Sequence, residues 1–186
     1  MLDLAIRGGR LALAWGVVEG DLGIAQGRVA ELGRVGRAAE ELDARGLHVL
    51  PGVIDTQVHF REPGAEHKED LATGSDAAVT GGVTTVFEMP NTKPATTTAE
   101  LLADKLARAA GRMRCDHAFF IGASAQNIAE LAVLERLPGC AGVKIFMGSS
   151  TGSLLVEDDA TLARVLEAGR RRVAVHAEDE PRLRAR

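Results

Sequence analysis

The rhythm of apolar and polar positions changes once along the chain, near Pro51. Before it come short alternating runs at residues 3–7, 10–14, 21–25, 28–32 and 47–50, broken by glycine. A period of two predicts strands, with Gly8-Gly9, Gly20 and Gly27 at turns. Residues 1–50 therefore read as a small β module, too thin to be stable alone. After Pro51, strand-like runs at 53–59, 84–88, 117–121, 142–146 and 172–176 alternate with helical patterns at 68–80, 98–110, 125–134 and 158–168. Alternating βα units predict a parallel sheet with right-handed crossovers. Thr98 and Asp158 stand ahead of apolar helical positions as start signals, and Gly81-Gly82 and Gly169 fit helix ends.

Polar and special residues fall after the strands rather than before them. His59-Phe-Arg61 follows the first, Met89-Pro-Asn-Thr92 the second, the loop 148–152 the fourth, and His176-Ala-Glu-Asp179 the fifth. In a (β/α)₈ barrel the chemistry sits at the carboxyl ends of the strands. Such a barrel needs about 250 residues, and only about 136 follow residue 50. The chain thus reads as the front of a larger protein, with about five barrel strands present.

Composition narrows the classes. Of 186 residues, 46 % are apolar, enough for a core, and the net charge of −4 argues against nucleic acid or an anionic membrane as partner. No apolar run approaches the roughly 20 residues that cross a bilayer. Cys115 and Cys140 form no CxxC, which suits buried thiols in a reducing cytoplasm. The loop 148–152 lacks the Gly-Lys-Ser/Thr ending of a phosphate loop and reads instead as lining an active-site mouth.

The densest chemistry lies at residues 50–64. A strand there points Asp55, Gln57 and His59 to one face, and such polar groups are costly to bury unless a metal or substrate engages them. Lys144 lies within the apolar run 143–147, where burial lowers an amine's pKa and lets it take up carbon dioxide as a carbamate. The plainer reading is a lysine reaching the barrel rim. His59 is a metal ligand or a satisfied core histidine, and Arg61, Lys144 and His176 at other strand ends favour ligation. Arg61 suits bidentate binding of a carboxylate, against a rim ion pair with Glu62 or Glu66.

Four motifs in order resemble bacterial dihydroorotases of the cyclic amidohydrolase superfamily, alongside allantoinases and hydantoinases. They are Asp55-Thr-Gln-Val-His-Phe-Arg-Glu-Pro-Gly64, Gly81-Gly-Val-Thr-Thr-Val-Phe-Glu-Met-Pro-Asn-Thr92, Gly142-Val-Lys-Ile-Phe-Met-Gly148 and Val175-His-Ala-Glu-Asp179. The resemblance implies an α/β fold: an incomplete metal-dependent (β/α)₈ TIM barrel at 51–186 with a small N-terminal β-sandwich segment at 1–50. It implies one or two zinc ions held by His59, His176 and a carboxylated Lys144, with Arg61 and Asn91 binding the substrate carboxylate. Gln57 replaces the usual first histidine of Asp-x-His-x-His. A neutral amide oxygen is a weaker donor, so Gln57 is a supporting group or a weak ligand.

The implied reaction interconverts N-carbamoyl-L-aspartate and dihydroorotate in pyrimidine biosynthesis, in the cytoplasm. The acid–base Asp and a further His ligand are expected beyond Arg186, so no general acid–base residue is named here and the segment alone is expected to be inactive. Its open sheet should leave apolar edges exposed. The full-length protein is expected to be a homo-oligomer. The alternatives are an allantoinase- or hydantoinase-type hydrolase, or a silent scaffold that supports aspartate transcarbamoylase.

Overall fold

The computed structural model describes residues 1–148 and 154–186, so residues 149–152 of the expected mouth loop lie outside the described residues. The chain divides into two units, Met1–Gly52 and Val53–Arg186.

The first unit is a five-stranded sheet of β1 (Leu2–Leu13), β2 (Gly16–Ala25), β3 (Arg28–Gly33), β4 (Ala38–Asp43) and β5 (His48–Val49). The order is β3-β2-β1-β4, with β5 also on β1. Gly8-Gly9, expected as a turn, instead lies inside β1. The register with β2 slips between Ile6 and Gly9, with Gly8 at φ 67°. Glycine within a strand often marks such a bulge. Strand β4 escaped the pattern because Ala-Ala-Glu-Glu-Leu-Asp has no β-branched residue. It forms by parallel pairing with β1, Leu4 opposite Glu40 and Ile6 opposite Leu42; pairing, not propensity, made this strand. Leu2, Ala5 and Val35 form the unit's small core.

The second unit is a parallel sheet in strict sequence order: β6 (Val53–Val58), β7 (Val83–Glu88), β8 (Asp116–Gly122), β9 (Cys140–Phe146) and β10 (Val173–His176). A parallel sheet with no order reversal curls, and here it forms half of a barrel. Between the strands run α1 (Leu71–Thr80), α2 (Ala99–Ala109), α3 (Leu131–Leu134) and α4 (Asp159–Ala168), and α5 (Glu180–Arg184) follows β10. Asp70 accepts from the Thr73 amide and Thr73 bonds back to the Asp70 amide, so α1 begins three residues later than the pattern predicts. Asp158 caps α4 at Thr161 and Thr98 caps α2 at Leu101.

The helix expected at 125–134 shrinks to a 3-10 turn at Ile128–Glu130 followed by α3. The cause is the buried side chain of Asn127. It accepts from the Ser124 amide and donates to Thr97 and Gly122 carbonyls, which pins the start of this segment to the end of β8 and the loop before α2.

Two apolar layers flank the sheet. Val86, Phe119, Ile121, Val143 and Ile145 pack with Leu71, Leu102, Leu131 and Val165 from the helices. A second cluster holds Met89, Phe120 and Ala141, with Phe87, Ala118 and Ala174 against it. Gly142 sits at φ 144° with the Arg172 carbonyl where a Cβ would go, so glycine is required at that point of β9. On the edge strands, Val53 and Ile54 of β6 are 52 % and 55 % exposed and Val175 of β10 is 41 % exposed. No described helix is long and apolar enough to cross a membrane.

Candidate active site

His59 directly follows β6 and is half-buried. Its Nδ1 lies 2.9 Å from Asn91 Oδ1 in the loop after β7. The Met89 amide donates to the Val58 carbonyl at 2.9 Å, so backbone pairing sets these two strand ends side by side. Burial holds the imidazole below its ordinary pKa. The Asn91 bond opposes this, while the charges of Arg61, Lys144 and Lys105 push the same way. The ring is therefore biased toward the neutral form that ligates metals.

Lys144 is 1 % exposed in β9. Val143 and Ile145, its neighbours in the strand, pack in the helix-facing core, which leaves Lys144 on the opposite face of the sheet. Its Nζ sits 5.0 Å from the Phe146 ring centroid, and no acidic side chain among the described residues pairs with it. Burial pushes its pKa down from 10.5. In register, Lys144 is opposite Ala174 and Phe146 opposite His176. The two-residue period then puts His176 on the Lys144 face, one step nearer the carboxyl end. The His176 ring is 6.1 Å from that of Phe146, and its Nε2 is 3.2 Å from Glu178 Oε2.

Gln57 is exposed on β6, and its backbone amide is bound by Asp55 Oδ1 at 3.0 Å. Its side chain makes no hydrogen bond among the described residues. No three His, Cys, Asp or Glu side chains cluster among the described residues.

Arg61 has φ 62°, the left-handed region that a non-glycine residue rarely adopts outside constrained sites. Neither expected acidic neighbour pairs with it. Glu62 is buried and takes both terminal nitrogens of Arg112, at 2.7 and 3.0 Å, and the Leu71 amide at 3.1 Å. Glu66 instead accepts from the Gly64 amide at 2.9 Å. The Arg112 contact holds the Glu62 carboxyl below the usual range against the opposing effect of burial. A pocket of about 280 Å³ brings Arg61 and Asn91 together with His67, Lys68, Thr92 and Lys93, and no acidic side chain lines it. His67, which belongs to none of the four motifs, thus borders this pocket. A wider cavity of about 770 Å³, lined by Thr84, Cys115 and His117 among others, lies at the amino ends of β7 and β8, away from these residues.

Sequence reasoning missed the ion pair beneath the site. Lys105 of α2 donates to Glu88 Oε2 at 2.6 Å, at the end of β7, and to the Met89 carbonyl at 3.3 Å. The available signal was a lysine in the buried stripe of α2, between Leu102 and Ala109.

Residues 46–149 match the family model described as Dihydro-orotase-like. The chain belongs to the dihydroorotase-like family. It is 39 % identical over 186 residues to an allantoinase of Solibacter usitatus, covering 97 % of this chain and 40 % of that protein. It is 36 % identical to a dihydroorotase of Methanosarcina mazei, with 97 % of this chain and 40 % of that protein covered. Among solved structures, L-hydantoinase (dihydropyrimidinase) from Arthrobacter aurescens superposes with a TM-score of 0.90 at 29 % identity, over 100 % of this chain and 43 % of that one. The chain thus spans about two fifths of the relatives it matches.

Proposed function

We propose that the full-length protein carrying this segment is a metal-dependent dihydroorotase that interconverts N-carbamoyl-L-aspartate and dihydroorotate. The observation that carries this reading is the cationic pocket shared by Arg61 and Asn91, with Arg61 unpaired among the described residues. A ring bearing a carboxylate gains charge-assisted bonds there, and Arg61 offers the bidentate fork that such a group matches. A neutral ring gains little.

His59, His176 and Lys144 are the residues that would hold zinc. Their chemistry fits: two imidazoles, one already biased neutral, and a buried amine without an acidic partner. A neutral Lys144 amine adds to carbon dioxide with loss of one proton, giving a carbamate whose oxygens can ligate. When bound, zinc would supply Lewis-acid polarisation of the ring amide. Arg61 and Asn91 would orient the ring, and the burial of Lys144 excludes water from that wall.

The likeness to allantoinase and L-hydantoinase favours a second reading, hydrolysis of an uncharged ring. Steady-state rates of the full-length zinc-loaded protein on carbamoyl-aspartate, allantoin and hydantoin separate the two. The dihydroorotase reading expects cyclisation of carbamoyl-aspartate to dominate. Faster turnover of allantoin or hydantoin overturns it, and absence of both zinc and turnover points to a silent scaffold.

A further inference from the structure

The contact between His59 and Asn91 does more than bring two strand ends together. A carboxamide oxygen only accepts, so an Nδ1 at 2.9 Å from Asn91 Oδ1 must carry the ring proton. The Nε2 lone pair is then left free. An imidazole without such a partner divides between two tautomers, and the wrong one cannot present Nε2 to a cation. Two residues before Asn91, the backbone is anchored at Met89, whose amide donates to the Val58 carbonyl and whose carbonyl accepts from Lys105 Nζ.

Asn91 also lines the cationic pocket with Arg61. With Oδ1 committed to His59, the group it can offer an anion is its Nδ2 pair of N–H donors. The one polarity that suits His59 as a ligand therefore also suits a carboxylate beside Arg61. From this geometry we infer that Asn91 is a positioning residue for the metal site, setting the His59 tautomer through Oδ1 while its Nδ2 faces the substrate's charge. The two functions share one side chain, so each orders it for the other. The inference rests on the metal-site reading proposed above.

The test compares the full-length wild type with Asn91→Asp and Asn91→Ala, folded state checked by circular dichroism. Zinc affinity is measured by chelator competition without substrate. Imidazole ¹⁵N shifts of the metal-free protein report the His59 tautomer. Asn91→Ala should weaken zinc binding about 10–100-fold, the usual effect of losing a partner of a metal-ligating histidine, and should mix the tautomers. Asn91→Asp keeps an acceptor oxygen, so zinc affinity and the Nδ1–H tautomer should persist. It loses the N–H donors and adds a negative charge, so KM for carbamoyl-aspartate should rise.

A role confined to substrate binding would leave zinc affinity unchanged in both variants, and that result overturns the inference. So does an aspartate variant that loses zinc as fully as the alanine one. A wild type that binds no zinc sinks the metal site and the inference together. Tight zinc binding with a preference for allantoin sinks only the dihydroorotase reading.

Discussion

Lys105 Nζ donates to Glu88 Oε2 at 2.6 Å across the seam between α2 and the end of β7, and both side chains are 1 % exposed. Burial pushes Glu88 up and Lys105 down, and their contact opposes both shifts. Among the described residues Glu88 Oε1 has no hydrogen-bond partner. Lys105 also lies 5.3 Å from the Phe119 ring centroid, in the core. The pair ties the helix to the strand end from which Met89 and Asn91 emerge.

Breaking that pair from one side should be costly. Lys105→Met leaves a buried carboxylate alone and should lower stability by about 3–5 kcal/mol, whereas removing both charges with Glu88→Leu/Lys105→Met should recover most of the loss. Denaturant unfolding of the three proteins measures this. Equal losses in the single and double variants would mean that packing, not charge, holds the seam.

Lys144 should be destabilising where it sits. In the metal-free protein Lys144→Met should raise stability by about 1–3 kcal/mol at neutral pH, since an unpaired buried ammonium is removed, while zinc affinity falls. The pH dependence follows from the direction of its shift. Its folded pKa lies below the unfolded value near 10.5, so between the two the unfolded chain binds more protons. Wild-type stability should therefore gain from this group as pH rises toward 10.5, and the methionine variant should lack that gain. Thermal unfolding from pH 7 to 10 reads it; parallel curves would contradict it.

Glu62 gives the same sign of pH dependence, in the acid range, but through a charge that stabilises the fold. Its folded pKa is below the unfolded value near 4.5, so its contribution is fully present above pH 4.5 and is lost as pH falls through the folded value. Glu62→Gln should flatten the acid limb of stability below pH 4.5. Arg112 is 40 % exposed, so Arg112→Met should remove only about 1–2 kcal/mol at neutral pH. An unchanged acid limb in the glutamine variant would exclude Glu62 as a main source of acid sensitivity.

Arg61 should matter to substrate rather than to folding. Arg61→Met should reduce kcat/KM for carbamoyl-aspartate by about 10–100-fold, the equivalent of one or two charge-assisted bonds. Chemical stability should stay level or rise, since the left-handed backbone gains nothing from the guanidinium. A small rate effect together with a large stability loss would make Arg61 structural.

Much of the barrel half was legible from residues alone, because strand and helix periods differ and turn signals separate them. Of the residues the four motifs singled out, His59 directly follows β6, Arg61 and Asn91 lie in the loops after β6 and β7, Lys144 lies inside β9 and His176 ends β10. The bulge at Gly8-Gly9, strand β4 and the broken helix near Asn127 were not legible. Each depends on a partner distant in sequence or on a side chain competing for backbone bonds.

By itself, then, the sequence determined the alternation of parallel strands and helices after Pro51 and the family. Local periodicity and short motifs hold that information. Only tertiary structure decided which charges meet: Glu62 with Arg112 rather than Arg61, Glu88 with Lys105, and His59 with Asn91. Ion pairs and hydrogen bonds act over about 3 Å, and chain spacing says little about which of many distant groups will close that gap.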